Sequence, residues 1–188
     1  MSPTRRRFLQ GVTGLGALSA FGLNATIISG QSEAPAADDT SIPVPEPRIA
    51  RFEKLAYGMF IHWGLYSLLG KGVEARNHMK IPNSEYQKLK DTFTAEDFDA
   101  RAFARTARKA GMKYMTLTTR HHEGFSLYDT RGLSDYDAPH SAAGRDLVKE
   151  FVEGCRAEDI VPFFYHTTLD WYQDSFKNDF NTYLQYLR

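Results

Sequence analysis

The chain has 188 residues with 23 acidic and 23 basic side chains, so its formal net charge at pH 7 is zero. This balance gives no reason to expect nucleic acid or an anionic membrane surface as a partner. The single cysteine, Cys155, excludes an intramolecular disulfide and a cysteine-based metal cluster, and we interpret it as a small core residue.

The N-terminal segment has the pattern of an export signal. Thr4–Gln10 contains adjacent arginines followed by Phe-Leu and a polar residue, which resembles the twin-arginine motif. A weakly apolar, Gly- and Ala-rich run follows, and Ala34–Ala36 is a small-x-small cleavage sequence. We therefore predict a signal peptide over residues 1–36 and Tat-dependent export to the periplasm or the medium. The alternative is a basic N-terminus in which two arginines are adjacent by chance.

A Pro/Ala-rich linker is predicted over residues 37–47, because Pro43, Pro45 and Pro47 alternate and exclude a helix there. The folded domain is predicted over residues 48–188. Three apolar runs rich in β-forming residues predict buried strands in this domain. They are Gly58–Trp63, Tyr114–Thr119 and Val161–Tyr165.

Helical patterns separate these strands. A capping box at Thr94–Asp97 predicts the start of the first helix, and Gly111 predicts its end. A second helix is predicted to open at Arg145-Asp146, and a third over Asp179–Arg188. The predicted apolar stripes are Phe98, Ala102, Phe103, Ala107 and Ala110 in the first helix, and Leu147, Val148, Phe151, Val152 and Cys155 in the second.

The resulting β-α-β-α-β-α order predicts an α/β fold with a parallel sheet, which fits a doubly wound sheet or a TIM barrel. No Gly-rich phosphate loop follows the first strand, which argues against a nucleotide-binding Rossmann unit. Ring-bearing polar residues follow each strand, where TIM barrels carry their sites: His62, then His121 and His122, then Tyr165 and His166. We predict a partial (β/α)8 barrel, its first three βα units only.

The strand ends contain the candidate binding residues. His62 beside Trp63 suits a sugar, with the imidazole on a hydroxyl and the indole on a ring face, although a core histidine fits as well. His121 and His122 are harder to assign to packing, because two buried imidazoles lose hydration. In an extended chain they point to opposite sides, so at most one of them faces a given ligand unless the backbone turns. A metal is the alternative for His121-His122-Glu123, but the zincin spacing is absent, and we predict no metal or cofactor.

The domain resembles the α-L-fucosidase family, glycoside hydrolase family 29. Several of its motifs occur here in the family's order, from about Arg51 to the end of the chain. They are Phe60–Ser67, Lys80–Tyr86, Ala110–Tyr114, Thr118–Phe125, Ser134–Tyr136, Gly144–Val148, and Phe164-Tyr165 with Leu169–Trp171.

The resemblance implies a retaining glycosidase that releases L-fucose from fucosylated oligosaccharides or glycoconjugates. It implies that His62, His121, His122 and Tyr165 hold the fucose hydroxyls, joined by Glu74. It also implies that the nucleophile and the acid/base lie beyond Arg188, so we expect no catalytic carboxylate within this chain. Retention requires both carboxylates.

One departure from the family pattern is Glu74-Ala75, where the family often has Glu-Trp, so an aromatic wall of the pocket is missing. Two alternatives to a fucosidase remain open from the sequence. One is a non-catalytic sugar-binding remnant or pseudogene product of the same family, and the other is a metal-dependent hydrolase.

Overall fold

A computed structural model describes residues 44–187. The predicted signal peptide and most of the predicted linker lie outside these residues. The elements, in chain order, are α1 Pro47–Glu53, β1 Gly58–Ile61, α2 Tyr66–Leu69, α3 Ala75–His78, α4 Asn83–Tyr86, a 3-10 helix Gln87–Thr92, α5 Ala100–Lys109, β2 Tyr114–Arg120, α6 Leu147–Ala157, β3 Val161–His166, α7 Asp174–Asn178 and α8 Phe180–Leu187.

The three strands form one parallel sheet in the order β1-β2-β3, which confirms the predicted α/β class. The α5 and α6 helices connect successive strands and pack on each other and on the sheet. Among residues 44–187, none of the helices has the length and apolar character needed to cross a membrane.

The two faces of the sheet differ sharply in burial. Met115 and Leu117 of β2 are fully buried in the main core, which also contains Leu147 and Phe151 of α6. On the other face, Phe60, Thr116 and Phe163 lie side by side in register, and Phe60 is 53% exposed.

The α1 helix packs on this second face of the sheet, near the N-terminal ends of the strands. The Phe52 ring lies 5.5 Å from Tyr114 and 5.6 Å from Phe163. The Tyr114 ring in turn requires a glycine on β1, because a Cβ on Gly58 would come within 2.5 Å of it. A close aromatic layer therefore fixes the start of the strands on the side away from α5 and α6.

The first predicted strand is too long and its burial is wrong. β1 ends at Ile61, so His62 and Trp63 follow the strand, and Phe60 is exposed. The Trp63 indole stacks on Phe98, with 4.7 Å between centroids and 3° between planes. Trp63 is therefore partly buried and packs against the apolar core.

The predicted capping box of the first helix is also wrong. Ala95 adopts a left-handed conformation with φ of 50°, which interrupts a helix at that point. The helix begins at Ala100 instead, and Asp99 caps it by accepting a hydrogen bond of 2.9 Å from the Ala102 backbone N–H.

This later start shifts the buried stripe of α5. The buried residues are Ala100, Ala104 and Ala107, so only Ala107 of the predicted stripe is fully buried in the helix, and Phe103 is 38% exposed. The predicted end is confirmed, because Gly111 has φ of 81° directly after the helix.

The second and third predicted helices are largely confirmed. Asp146 caps α6 by accepting from the Lys149 N–H at 2.8 Å, and Leu147, Phe151 and Cys155 are buried as predicted. Glu158, just after α6, binds three arginines of α5 and ties the two helices together. The last helix, α8, spans Phe180–Leu187, but the short α7 before it was not predicted.

Candidate functional site

Four of the five predicted binding residues lie together at the carboxyl ends of the three strands. The ring centroid of His121 lies 5.8 Å from His62, 4.2 Å from His122 and 5.6 Å from Tyr165. His62 and Tyr165 are 6.1 Å apart. We call these four residues the ring cluster. Parallel strands end at one edge of a sheet, which is why residues so distant in sequence meet here.

The two adjacent histidines contact each other because the chain turns directly after β2. Gly124 has φ of 85°, and its N–H donates to the His121 carbonyl at 3.0 Å. A side chain at position 124 would be strained by this φ and would also collide with Tyr172 and Asp170. The backbone turn that would allow both His121 and His122 to face one ligand is therefore present here.

Hydrogen bonds fix the orientation of His122. Its Nδ1 lies 2.6 Å from the Thr167 hydroxyl, and its backbone carbonyl accepts from the Trp171 N–H at 2.7 Å. The Trp171 indole lies 5.3 Å from the His122 ring. With Nδ1 engaged, Nε2 is the nitrogen of His122 that can bind a ligand.

His121 is the most deeply buried member of the ring cluster, with 5% of its side chain exposed. Burial, with smaller contributions from His122 and His62, lowers the pKa of His121 to about 4. Its imidazole is therefore neutral at neutral pH and offers one donor and one acceptor. Neutral imidazoles suit sugar hydroxyls, which also donate and accept.

Within residues 44–187, Glu74 makes no hydrogen bond or ion pair with a residue of the ring cluster. It precedes α3, its side chain is 41% exposed, and its carboxylate lies 4.0 Å from His78 in the next turn. Ala75 is buried, so its methyl group lines no open surface. Arg76 instead lies against the Trp171 indole, 5.7 Å from the ring centre, and donates to the Trp171 carbonyl at 3.2 Å. Trp171 is thus the indole beside the cluster.

A buried ion pair that the sequence did not predict supports the ring cluster. Arg120 and Asp170 are 1% and 0% exposed and bind each other through the guanidinium and the carboxylate. Asp170 also accepts from the backbone N–H groups of Tyr172 and Gln173, at 2.7 and 2.9 Å. The pair therefore joins the end of β2 to the loop that contains Trp171. One sequence feature could have indicated this pair: Arg120 is the only charged residue of β2 and ends the strand.

Glu123 is a second buried charge-bearing residue whose role the sequence did not predict. Its side chain is 2% exposed, and its Oε2 lies 3.7 Å from His121 Nδ1. Within residues 44–187, no group of three or more His, Cys, Asp or Glu side chains is arranged to hold a metal ion.

Known proteins resemble most of this chain in sequence and in fold. The sequence profile of the α-L-fucosidase family matches residues 31–186. The chain belongs to the α-L-fucosidase family. Human tissue alpha-L-fucosidase is 30% identical over 156 residues, which cover 72% of this chain and 34% of that protein.

Solved members of the α-L-fucosidase family have the same fold in this region. Alpha-L-fucosidase isoenzyme 1 from Paenibacillus thiaminolyticus is 38% identical with a TM-score of 0.70, covering 75% of this chain and 38% of that one. A Bacteroides thetaiotaomicron family member, solved as a trapped covalent intermediate with 2-fluoro-fucosyl fluoride, is 29% identical with a TM-score of 0.70, covering 77% and 37%. The chain thus spans about a third of the length of these relatives.

Proposed function

We propose that the full-length protein is a retaining α-L-fucosidase and that the ring cluster binds the fucose hydroxyls. The observation that carries this is the convergence of His62, His121, His122 and Tyr165 at one edge of the sheet. The family relationship supplies the sugar, and the covalent intermediate of the Bacteroides relative supports a retaining mechanism.

The three βα units are proposed to be the first three of a TIM barrel. Their strands are parallel and consecutive, and the connecting helices α5 and α6 both cover the same face. In a barrel, the face bearing Phe60 and Phe163 points inward, and the ring cluster lies at the carboxyl ends, where active sites of such barrels occur. The nucleophile and the acid/base are proposed to come from later strands, 5–5.5 Å apart as is typical of retaining enzymes.

We expect the full-length protein to hydrolyse aryl α-L-fucosides and to release L-fucose first as the α-anomer. Two displacements at the anomeric carbon restore its configuration, whereas one displacement inverts it. Proton NMR of the first-formed sugar measures this directly. A β-anomer would contradict the retaining mechanism, and fucose binding without hydrolysis would favour the non-catalytic alternative.

A pair of histidine variants connects this activity to the ring cluster. His122→Ala removes Nε2, the one ring nitrogen free to bind a sugar hydroxyl, and should lower kcat/KM by about tenfold, the loss of one hydrogen bond. His140→Ala is the matched control, since His140 binds Asp137 at 2.6 Å outside the cluster and should leave kcat/KM unchanged. If both variants lowered kcat/KM equally, the ring cluster would not be the fucose-binding site.

Export through the twin-arginine route is proposed for the precursor, and a fucosylated glycan outside the cytoplasm is the proposed substrate. Replacing Arg5 and Arg6 with lysine preserves their charge, so any effect reports on the arginine pair itself. We expect the Lys-Lys variant to accumulate in the cytoplasm as uncleaved precursor, detected by cell fractionation and immunoblotting. Arg48→Lys, in the predicted domain, is the control. Unchanged periplasmic yield in the Lys-Lys variant would show that the signal assignment is wrong.

A further inference from the structure

Glu123 and His121 present two buried polar atoms to each other. Within the described part of the chain, neither Glu123 Oε2 nor His121 Nδ1 has a hydrogen-bond partner. Leaving both unsatisfied is costly, since each lost its hydration on burial. The distance of 3.7 Å needs to shorten by about 1 Å to make a hydrogen bond between them.

Two groups can share this contact only if one of them carries a proton. Burial raises the pKa of Glu123 to about 8, although a hydrogen bond from its own backbone and the charges of Arg120 and Arg76 act in the opposite direction. The neutral form of His121 prevails above about pH 4. Between these values both groups are neutral, and the carboxyl can donate its proton to Nδ1 when the ring proton of His121 is on Nε2. The other titratable groups that face Glu123 are Asp170, Tyr66, Tyr86 and Tyr136.

We propose that Glu123 is a positioning residue for His121, donating its carboxyl proton to Nδ1 and so fixing the ring proton on Nε2. This inference rests on the proposed function only in taking a sugar hydroxyl as the partner of Nε2. An Nε2–H group donates to a hydroxyl oxygen, so His121 is a donor at this position of the sugar.

Loss of the Glu123 proton reverses this arrangement. The carboxyl proton goes to solvent, and a carboxylate can only accept hydrogen bonds. The ring proton then moves from Nε2 to Nδ1 through solvent exchange, and Nε2 becomes an acceptor. His121 therefore changes from a donor to an acceptor as the pH rises through about 8, without itself gaining charge.

The tautomer is measured by ¹⁵N NMR of the histidine-labelled full-length protein without sugar. The His121 signals are identified by their loss in His121→Asn. We expect Nε2 to carry the proton at pH 6 and Nδ1 to carry it above pH 9. In Glu123→Gln the amide has no titrating proton. An amide NH₂ placed where Oε2 lies, 3.7 Å from His121 Nδ1, can donate to that nitrogen at every pH.

Glu123→Gln should therefore keep the proton on Nε2 from pH 6 to pH 9. Glu123→Met fills the same space without a donor and should lose the tautomer preference, while exposed Glu85→Gln should behave as the unchanged protein. An Nδ1-protonated ring throughout would show that Arg76 and Arg120 keep Glu123 ionised and would overturn the proposal. So would a pH dependence that survives in Glu123→Gln. If a variant fails to fold, the change of the His121 tautomer between pH 6 and pH 9 in the unchanged protein still tests the proposal.

Calorimetric titration with L-fucose separates this inference from the proposed function. One hydrogen bond reverses its direction, so we expect affinity to change by up to about tenfold between pH 7 and pH 9 in the unchanged protein and to stay constant in Glu123→Gln. Absence of fucose binding at any pH would contradict the proposed function, while the tautomer change would still support the role of Glu123. Fucose binding with a His121 tautomer that does not change with pH would support the proposed function and contradict the role of Glu123.

Discussion

Asp170→Ala is expected to lower the free energy of unfolding of the full-length protein by about 3–5 kcal/mol, the usual cost of breaking a buried ion pair. Arg120 is 1% exposed and would be left as a charge without its carboxylate. The backbone N–H groups of Tyr172 and Gln173 would lose their acceptor at the same time. Urea unfolding followed by circular dichroism measures the loss.

The Arg145–Glu150 pair is the matched control for this change. Its side chains are 35% and 32% exposed, and the two groups are 2.7 Å apart. Solvent screens such a pair, so Glu150→Ala should cost no more than about 1 kcal/mol. Equal losses of unfolding free energy in the two variants would show that burial does not determine how much the Arg120–Asp170 pair stabilises the fold.

A second control separates the buried charge from packing. In the double variant Arg120→Met with Asp170→Leu, no charge remains buried, and such replacements are often neutral in stability. We expect this variant to unfold at a higher urea concentration than Asp170→Ala. Its fucosidase activity should still be reduced, because the loop containing Trp171 would lose its backbone hydrogen bonds to Asp170 and Trp171 borders His122.

The isolated Arg48–Arg188 segment is expected neither to hydrolyse fucosides nor to unfold cooperatively. The ring cluster can orient a sugar, but hydrolysis with retention needs a nucleophile and a proton donor. The face bearing Phe60 lacks cover in this segment, as do the outer edges of β1 and β3. At about 25 cal/mol per Å² of apolar surface, a few open aromatic side chains remove several kcal/mol, comparable with a domain's net stability of about 5–15 kcal/mol.

The burial pattern changes part of the reason for this expectation. Phe60 and Phe163 lie on the face away from α5 and α6, whereas Met115 and Leu117 are buried on the face that these two helices cover. The segment is therefore expected to be molten rather than fully unfolded. Near-UV circular dichroism during urea unfolding is the measurement, with the full-length protein as reference.

Two variants of the segment test the assignment of faces. Phe60→Ser should raise its solubility, because the side chain is 53% exposed, whereas Met115→Ser should lower the residual structure, because that side chain is fully buried. A sharp, cooperative transition of the soluble monomeric segment would show that three βα units are sufficient for a stable fold.

The fold class and the candidate site were accessible from the sequence because both depend on strong local patterns. Apolar runs and their spacing located β2 and β3 nearly to the residue, and Asp146 and Gly111 located helix ends. The position of His62, His121 and Tyr165 at the carboxyl ends of successive strands was sufficient to predict their meeting, because parallel strands end together.

The start of α5 was not accessible in the same way. Thr94–Asp97 has the composition of a capping box, and Asp99 competes for the same role a few residues later. The choice between them depends on Phe98 packing against Trp63, a contact between segments far apart in the chain. Which side of the sheet is covered is likewise decided by α5 and α6, not by the alternation of side chains within β2.

The sequence by itself determined the family, the alternation of strands and helices, and the four rings that meet at the strand ends. Only the tertiary structure paired Glu74 with His78 and buried the charged side chains of Arg120, Asp170 and Glu123. The physical reason is that a charged side chain has the same local pattern whether it lies in solvent or in the core. Burial, and the partner that burial requires, are properties of contacts between distant segments.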